Sequence, residues 1–224
     1  MNEPSRPAAR AGLYRLLALA FAPPERVLAE AIRSGDFQDA LAACAAAAGI
    51  GARAAPACAV PDETLEAAYL ELFEMGKDDA AACALRESSH VGFACEERFV
   101  ERDGGAPTLM EDLLRFYHFF GFQLSRAPAR KLPPDHLVCQ LEMLSRLCDR
   151  EADAAMSAAQ IQSCGRAQQD FLNRHLAPWW PRAVRRLRGI RRAEPAHDFY
   201  LALAELALDC VAAHGHESFE IPAT

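Results

Sequence analysis

Apolar residues recur every three to four positions along most of the 224-residue chain, and prolines or glycines break that rhythm at short intervals. Such a stripe marks an amphipathic helix, whereas a half-buried strand would alternate at every second residue. The pattern predicts helices over roughly 8–21, 24–34, 37–48, 62–74, 108–121, 134–153, 157–176, 181–189 and 196–213. Pro23-Pro24, the run from Gly49 to Pro61, Gly76, Gly104-Gly105, Pro128, Pro133-Pro134, Pro178 and Pro195 separate them. No stretch alternates like a strand, and no segment repeats at a fixed period. Abundant alanine with few β-branched residues leans the same way. The expected fold is all-α: a single domain over 1–224, built as one bundle of about nine to ten helices with a long loop in the middle.

That loop is the stretch 75–106, where periodicity fades apart from a short helix expected near 92–101. Long loops inside compact domains often carry function. At the N-terminus, Arg6 and Arg10 precede an apolar run ending Ala20-Phe21-Ala22, which resembles a secretory signal. Arg15 interrupts that run, and Leu13, Leu16, Leu17, Ala20 and Phe21 share one helical face, so a first core helix is expected. Asp62 is expected to cap the fourth helix, and Gly215 to end the last one as a glycine cap.

The formal net charge of −7 argues against a general nucleic-acid binder. None of the eight cysteines is paired in a C-x-x-C motif, so zinc-ribbon and thioredoxin chemistry lose their usual signature, and reduced thiols in the cytoplasm are expected. Neither a G-x-S-x-G elbow nor a Walker loop is present.

Several groups of residues could carry function. Pro133-Pro134 breaks the chain and presets a helix start, placing Asp135 and His136 at a helix entrance. They read either as contacts for a polar ligand or peptide, or as a capping acid beside a surface histidine. Tyr69, Leu72 and Phe73 share a face that is either core or the wall of an apolar groove. Five aromatics in seven residues, Phe116, Tyr117, Phe119, Phe120 and Phe122, exceed what one stripe can bury. They suit either the core or a helix-binding groove. Arg182, Arg185, Arg186, Arg188, Arg191 and Arg192 form either a solvated face or a contact for an acidic partner or membrane surface. His214-Gly215-His216-Glu217 reads as a loose metal motif or a frayed tail. His136 with Cys139 offers half a zinc site, and with Glu142 it defines a rival reading: a small metal- or nucleotide-dependent helical enzyme.

Taken in order, Tyr69-x-x-Leu72-Phe73, Cys83 with Glu87-Ser88, Phe116-Tyr117 with Gly121, Pro134-Asp135-His136-Leu137, Leu141-Glu142-Met143 and His175-Leu176 with Trp179 resemble the TorD/DmsD/NarJ family of redox-enzyme maturation chaperones. Phe73-Glu74-x-Gly76 is nearest to the branch serving periplasmic molybdenum dehydrogenases and reductases. The resemblance implies a cytoplasmic chaperone, not an enzyme. Its partner would be the precursor of a molybdopterin oxidoreductase catalytic subunit, bound through its twin-arginine leader, its body or both until cofactor insertion. On matching positions, Pro134, Asp135 and His136 would belong to the leader site, with Tyr69, Leu72 and Phe73 near its apolar wall. Asp135 and Glu142 would meet the arginines, and Phe116, Phe120 and Leu72 the apolar part. No cofactor is required, although guanine-nucleotide binding has been proposed in the family. Membrane contact would be transient, and the state a monomer or a domain-swapped dimer. Where the family's loop reads Pro-Cys-Pro-x-Tyr-Glu, this chain has Ala82-Cys83-Ala84-Leu85-Arg86-Glu87, so a less rigid loop is expected.

Overall fold

The computed structural model describes residues 4–51, 58–75, 81–91, 108–124, 131–190 and 194–216. Among them nine α-helices occur and no strand: α1 (Arg6–Ala20), α2 (Arg26–Ser34), α3 (Asp36–Ala47), α4 (Asp62–Tyr69), α5 (Leu109–Phe119), α6 (Leu137–Ala152), α7 (Ala158–Phe171), α8 (Trp180–Gly189) and α9 (Pro195–Gly215). The all-α expectation holds. Gly76, the predicted helix at 92–101, Gly104-Gly105, Pro128, Arg191, Arg192 and Glu217 lie outside the described residues.

Local chemistry sets the helix ends. Thr108 and Glu111 form a reciprocal capping box at the start of α5, and Ser157 and Gln160 repeat it at α7. Replacing Thr108 with Ala should cost about 1 kcal/mol, read as a lower urea midpoint, while Thr108→Ser should be nearly silent. Prolines open α1, α8 and α9, where the missing N–H has no partner to lose. Gly35 alone joins α2 to α3, at φ +92°, a conformation that a side chain would strain.

Two local expectations are corrected. Asp62 is the first residue of α4 and not its cap; it pairs with Arg33 of α2. Gly215 is the last helical residue of α9 and has no left-handed φ. Two helices also run on into π-turns, Leu70–Glu74 after α4 and Leu172–Leu176 after α7, a distortion found often beside functional sites.

The centre of the bundle is α6. Leu137, Leu141, Met143, Leu144, Leu147 and Cys148 are all buried, so the helix is covered on nearly every side. α1 lies along it, with its Leu13, Tyr14 and Leu17 buried, and α7 flanks it. Ser145 Oγ donates to the Ala11 carbonyl (2.8 Å), and buried Arg10 pairs with Glu151 (3.2 Å), pinning α1 at two levels. The N-terminal apolar run is thus part of the core, as its helical face predicts. α3 comes so close that a Cβ on Gly12 would stand 3.0 Å from Cys44 Sγ. α9 is buried through Phe199, Tyr200, Leu203, Leu206 and Cys210. The seven described cysteines are free thiols, and burial pushes Cys83, Cys139 and Cys210 up to about 12.

Candidate functional site

Pro133-Pro134 stops the chain ahead of α6, and the two residues after it turn inward. Asp135 is 0% exposed. Its Oδ1 accepts from Arg86 Nε (3.3 Å) and Nη2 (3.4 Å), and its Oδ2 from Ser88 N (3.2 Å) and Ser88 Oγ (2.5 Å). The backbones pair as well: Glu87 N donates to the Asp135 carbonyl (3.0 Å) and Leu137 N to that of Leu85 (2.8 Å), forming one antiparallel bridge between Arg86 and His136. Tyr117 on α5 donates to the Pro134 carbonyl (2.7 Å).

His136 is the true cap of α6. Its Nδ1 accepts from Val138 N (3.2 Å), so the ring is neutral with its proton on Nε2. Burial drives its pKa down to about 4, against the raising effect of Asp135. The carboxylate cap that the sequence suggests is therefore replaced by an imidazole cap.

The stretch 81–91 is held by more than Asp135. Cys83 N donates to Leu72 O (2.7 Å), a carbonyl at the π-turn after α4, and Cys83 Sγ points at Ala183 O (3.5 Å). His90 stacks on Trp179, with ring centroids 5.3 Å apart, and its Nε2 reaches Ala84 O (2.7 Å). Buried Glu87 accepts from Gln140 Nε2 (2.6 Å), and Gln140 in turn accepts from Trp179 Nε1 (3.2 Å). His175, presented by the second π-turn, stands 3.4 Å from both Glu87 and Asp112 of α5, at ion-pair distance from each. Burial raises the Glu87 pKa, and His175 and Gln140 oppose the rise. The described part of the predicted loop is thus an integral layer of the fold, contrary to the expected slackness. The lost prolines are made good by side-chain and backbone hydrogen bonds.

The remaining candidates fall in three other places. Tyr69, Leu72 and Phe73 are buried, with Phe73 edge-on to Phe21, Tyr69 and Tyr200, so the core alternative holds for them. Phe116 and Phe120 line an open pocket of about 450 Å³ between α5 and α7, with Phe119 79% exposed at its edge. Glu142 is exposed on α6 and lines a groove of about 720 Å³.

Sequence reasoning missed that groove. The end of α1 (Ala18, Leu19), Pro23-Pro24 and Leu28 of α2 make one wall; Val138 and Cys139 make the other, with Leu124 and Leu132 alongside. Glu25 and Glu142 place carboxylates in it, together with Arg15. Leu19, Glu25 and Leu28 also line an adjoining hollow of about 310 Å³ beside Val27, which is 77% exposed. The two form an apolar track over the first three helices. The missing signal was the placement of α2 across from the entrance of α6, residues more than a hundred positions apart.

The three residues of the rival metal reading, His136, Cys139 and Glu142, are placed apart in role. His136 Nδ1 is committed to its cap, Cys139 is a high-pKa thiol and Glu142 faces the groove. Among the described residues no three His, Cys, Asp or Glu side chains converge to hold a metal. His214 lies inside the core with Nδ1 2.8 Å from Tyr14 Oη, so it does not join a tail motif. In the arginine run, Arg182 donates to His90 O (3.2 Å) and Arg188 pairs with Glu205 (2.8 Å). No helix among the described residues is long and apolar enough to cross a membrane.

Comparison with known proteins gives this geometry a lineage. The chain is similar to the selenate reductase assembly chaperone protein of Thauera selenatis, 41% identical over 129 residues, covering 58% of this chain and 60% of that protein. It is similar to the chlorate reductase assembly chaperone protein of Ideonella dechloratans, 41% identical over 125 residues, 56% of this chain and 58% of that protein. The dimethyl sulfide dehydrogenase assembly chaperone protein of Rhodovulum sulfidophilum is 34% identical over 175 residues, covering 76% and 66%. The matches therefore span about three fifths of the length of the first two relatives. These relatives are assembly chaperones, not catalysts. No solved structure matches the chain. Residues 35–185 match the family described as nitrate reductase delta subunit. That match takes in most of the chain, from α3 to α8, and the chain belongs to the nitrate reductase delta subunit family.

Proposed function

We propose that the chain is a cytoplasmic assembly chaperone for the catalytic subunit of a molybdopterin oxidoreductase, and that it holds the twin-arginine leader of the precursor in the α1–α2–α6 groove until the cofactor is in place. The observation that carries this reading is the apolar track over α1 and α2, with Glu25 and Glu142 set into its walls. A twin-arginine leader offers two guanidiniums followed by an apolar stretch. Carboxylates suit the first, and a trough lined by Leu, Pro and Val suits the second. Affinity should be modest, because an unfolded leader must be ordered as it binds. In this reading Pro134, Asp135 and His136 serve the site by fixing the entrance of α6, which carries Val138 and Cys139 in its first turn and Glu142 about two turns on.

Calorimetry with a synthetic peptide, an arginine pair followed by a leucine-rich stretch, tests it. Leu19→Asp and Glu142→Arg should each weaken binding about tenfold, the scale of one lost buried anchor or charge pair. Replacing the arginine pair with glutamines should erase the Glu142→Arg effect. Unchanged affinity in both variants would remove the groove as the leader site.

A further inference from the structure

The pocket between α5 and α7 is the chemical opposite of the groove. Phe116, Phe120 and Ala167 make an apolar floor, and Phe119 stands almost fully in solvent beside it. Arg115 shares the exposed face of α5 with Phe119, one turn away, and Arg166 faces it from α7. Arg174 is held by Asp112 and by Asp170 (3.1 Å), so these three groups largely satisfy one another. Arg115 and Arg166 have no hydrogen bond or ion pair to any described residue. In a chain with a formal net charge of −7, two unpaired guanidiniums flanking a patch of phenylalanines form a local reversal of sign. Exposed aromatics and arginines are also the residue types that most often anchor protein interfaces.

We infer that this pocket docks an acidic peptide segment that carries an aromatic or aliphatic side chain. The apolar side chain would lie on Phe116, Phe119 and Phe120, while its neighbouring carboxylates meet Arg115 and Arg166 in charge-assisted hydrogen bonds. The volume of about 450 Å³ lies within the ~300–1,000 Å³ range of built ligand pockets. Resting on the function proposed above, the segment belongs to the precursor outside its leader. The precursor is then held at two surfaces of opposite charge, and a basic leader cannot occupy the wrong one. Two weak contacts on one chain also act through effective concentration, which gives firm retention with easy release.

Fluorescence anisotropy with a labelled Glu-Phe-Asp-Leu-Glu-Phe peptide tests the inference on the full chain. Arg115→Glu with Arg166→Glu should weaken binding at least about tenfold, and Phe119→Ala about fivefold, in line with loss of central anchors. All three positions are exposed, so the variants should keep the parent circular dichroism and melting temperature. Their affinity for the twin-arginine peptide should be unchanged. An excess of a Lys-Phe-Lys-Leu-Lys-Phe peptide, which suits the acidic groove, should not displace the acidic peptide. The inference is overturned if the lysine peptide displaces it, if charge reversal leaves the acidic peptide unaffected, or if inorganic phosphate displaces it completely. It also falls if sedimentation shows a dimer that Phe119→Ala dissolves while no peptide binds. Acidic-peptide binding without any leader binding would sink the leader site and leave this pocket standing.

Discussion

Asp135→Ala should lower the melting temperature without lowering intrinsic affinity for a leader peptide. The carboxylate is fully buried and accepts from Arg86 and from two groups of Ser88. Arg86 is half-exposed and regains water when the acid goes, but the Ser88 donors lose their partner. Losing charge-assisted bonds at a buried site costs about 3 kcal/mol, which for a domain of this size is roughly 6–12 °C. Amide exchange should localise the change to the segment 85–91, which the Asp135 side chain and carbonyl both hold. Asp135→Asn, which keeps the shape but not the charge, should fall between the two. A variant as stable as the parent that no longer binds leader peptide would reverse the assignment and make Asp135 a direct ligand contact.

Acid should destabilise the protein well above the pH at which exposed carboxylates titrate. His136 and His214 are both neutral in the fold, with pKa values near 4 and 3, lowered chiefly by burial. Arg10 and Arg6 lower His214 further. Protonating His136 on Nδ1 would destroy the cap of α6, since that atom accepts from Val138 N. In the unfolded chain both rings take up a proton near the ordinary value of about 6.5. Below that pH the unfolded state binds more protons than the native one, so stability falls as pH falls, and the loss levels off once the folded-state values are passed. By pH 5 each ring should have cost roughly 2 kcal/mol. Glu87, raised by burial, works in the opposite direction and offsets part of the loss. Urea midpoints at pH 7.5 and pH 5.0 measure the difference. His136→Asn keeps a capping acceptor without a titrating group and should remove about half of the pH effect. Equal midpoints at the two pH values would mean that the two rings are not buried neutral.

The helices were legible because their signal is local. Each apolar stripe and each proline or capping residue lies within a few positions of what it determines, and most predicted spans agree with the observed ones within a turn or so. Asp135 and His136 were also legible as special, from the prolines before them, but not in their roles. The partners of Asp135 lie 47 and 49 residues upstream, in a stretch with no periodicity to announce them. The faces of α4 and α5 show a different limit. Tyr69, Leu72 and Phe73 have the same i, i+3, i+4 spacing as a groove wall would, and only the tertiary position of α9 puts Tyr200 over them. Phe116 and Phe120 share one face as well, yet they floor an open pocket. Spacing reports that a face is apolar; it does not say whether another element covers it.

One wall of the groove is hung in an unusual way. α2 is nine residues long, with Pro23-Pro24 ahead of it and the single residue Gly35 behind it. Proline at one joint and a glycine held at positive φ at the other set where α2 begins and ends. The Arg33–Asp62 pair adds a tie from its last turn to α4, so the width of the groove on this side is set by short-range chemistry at both ends of one helix.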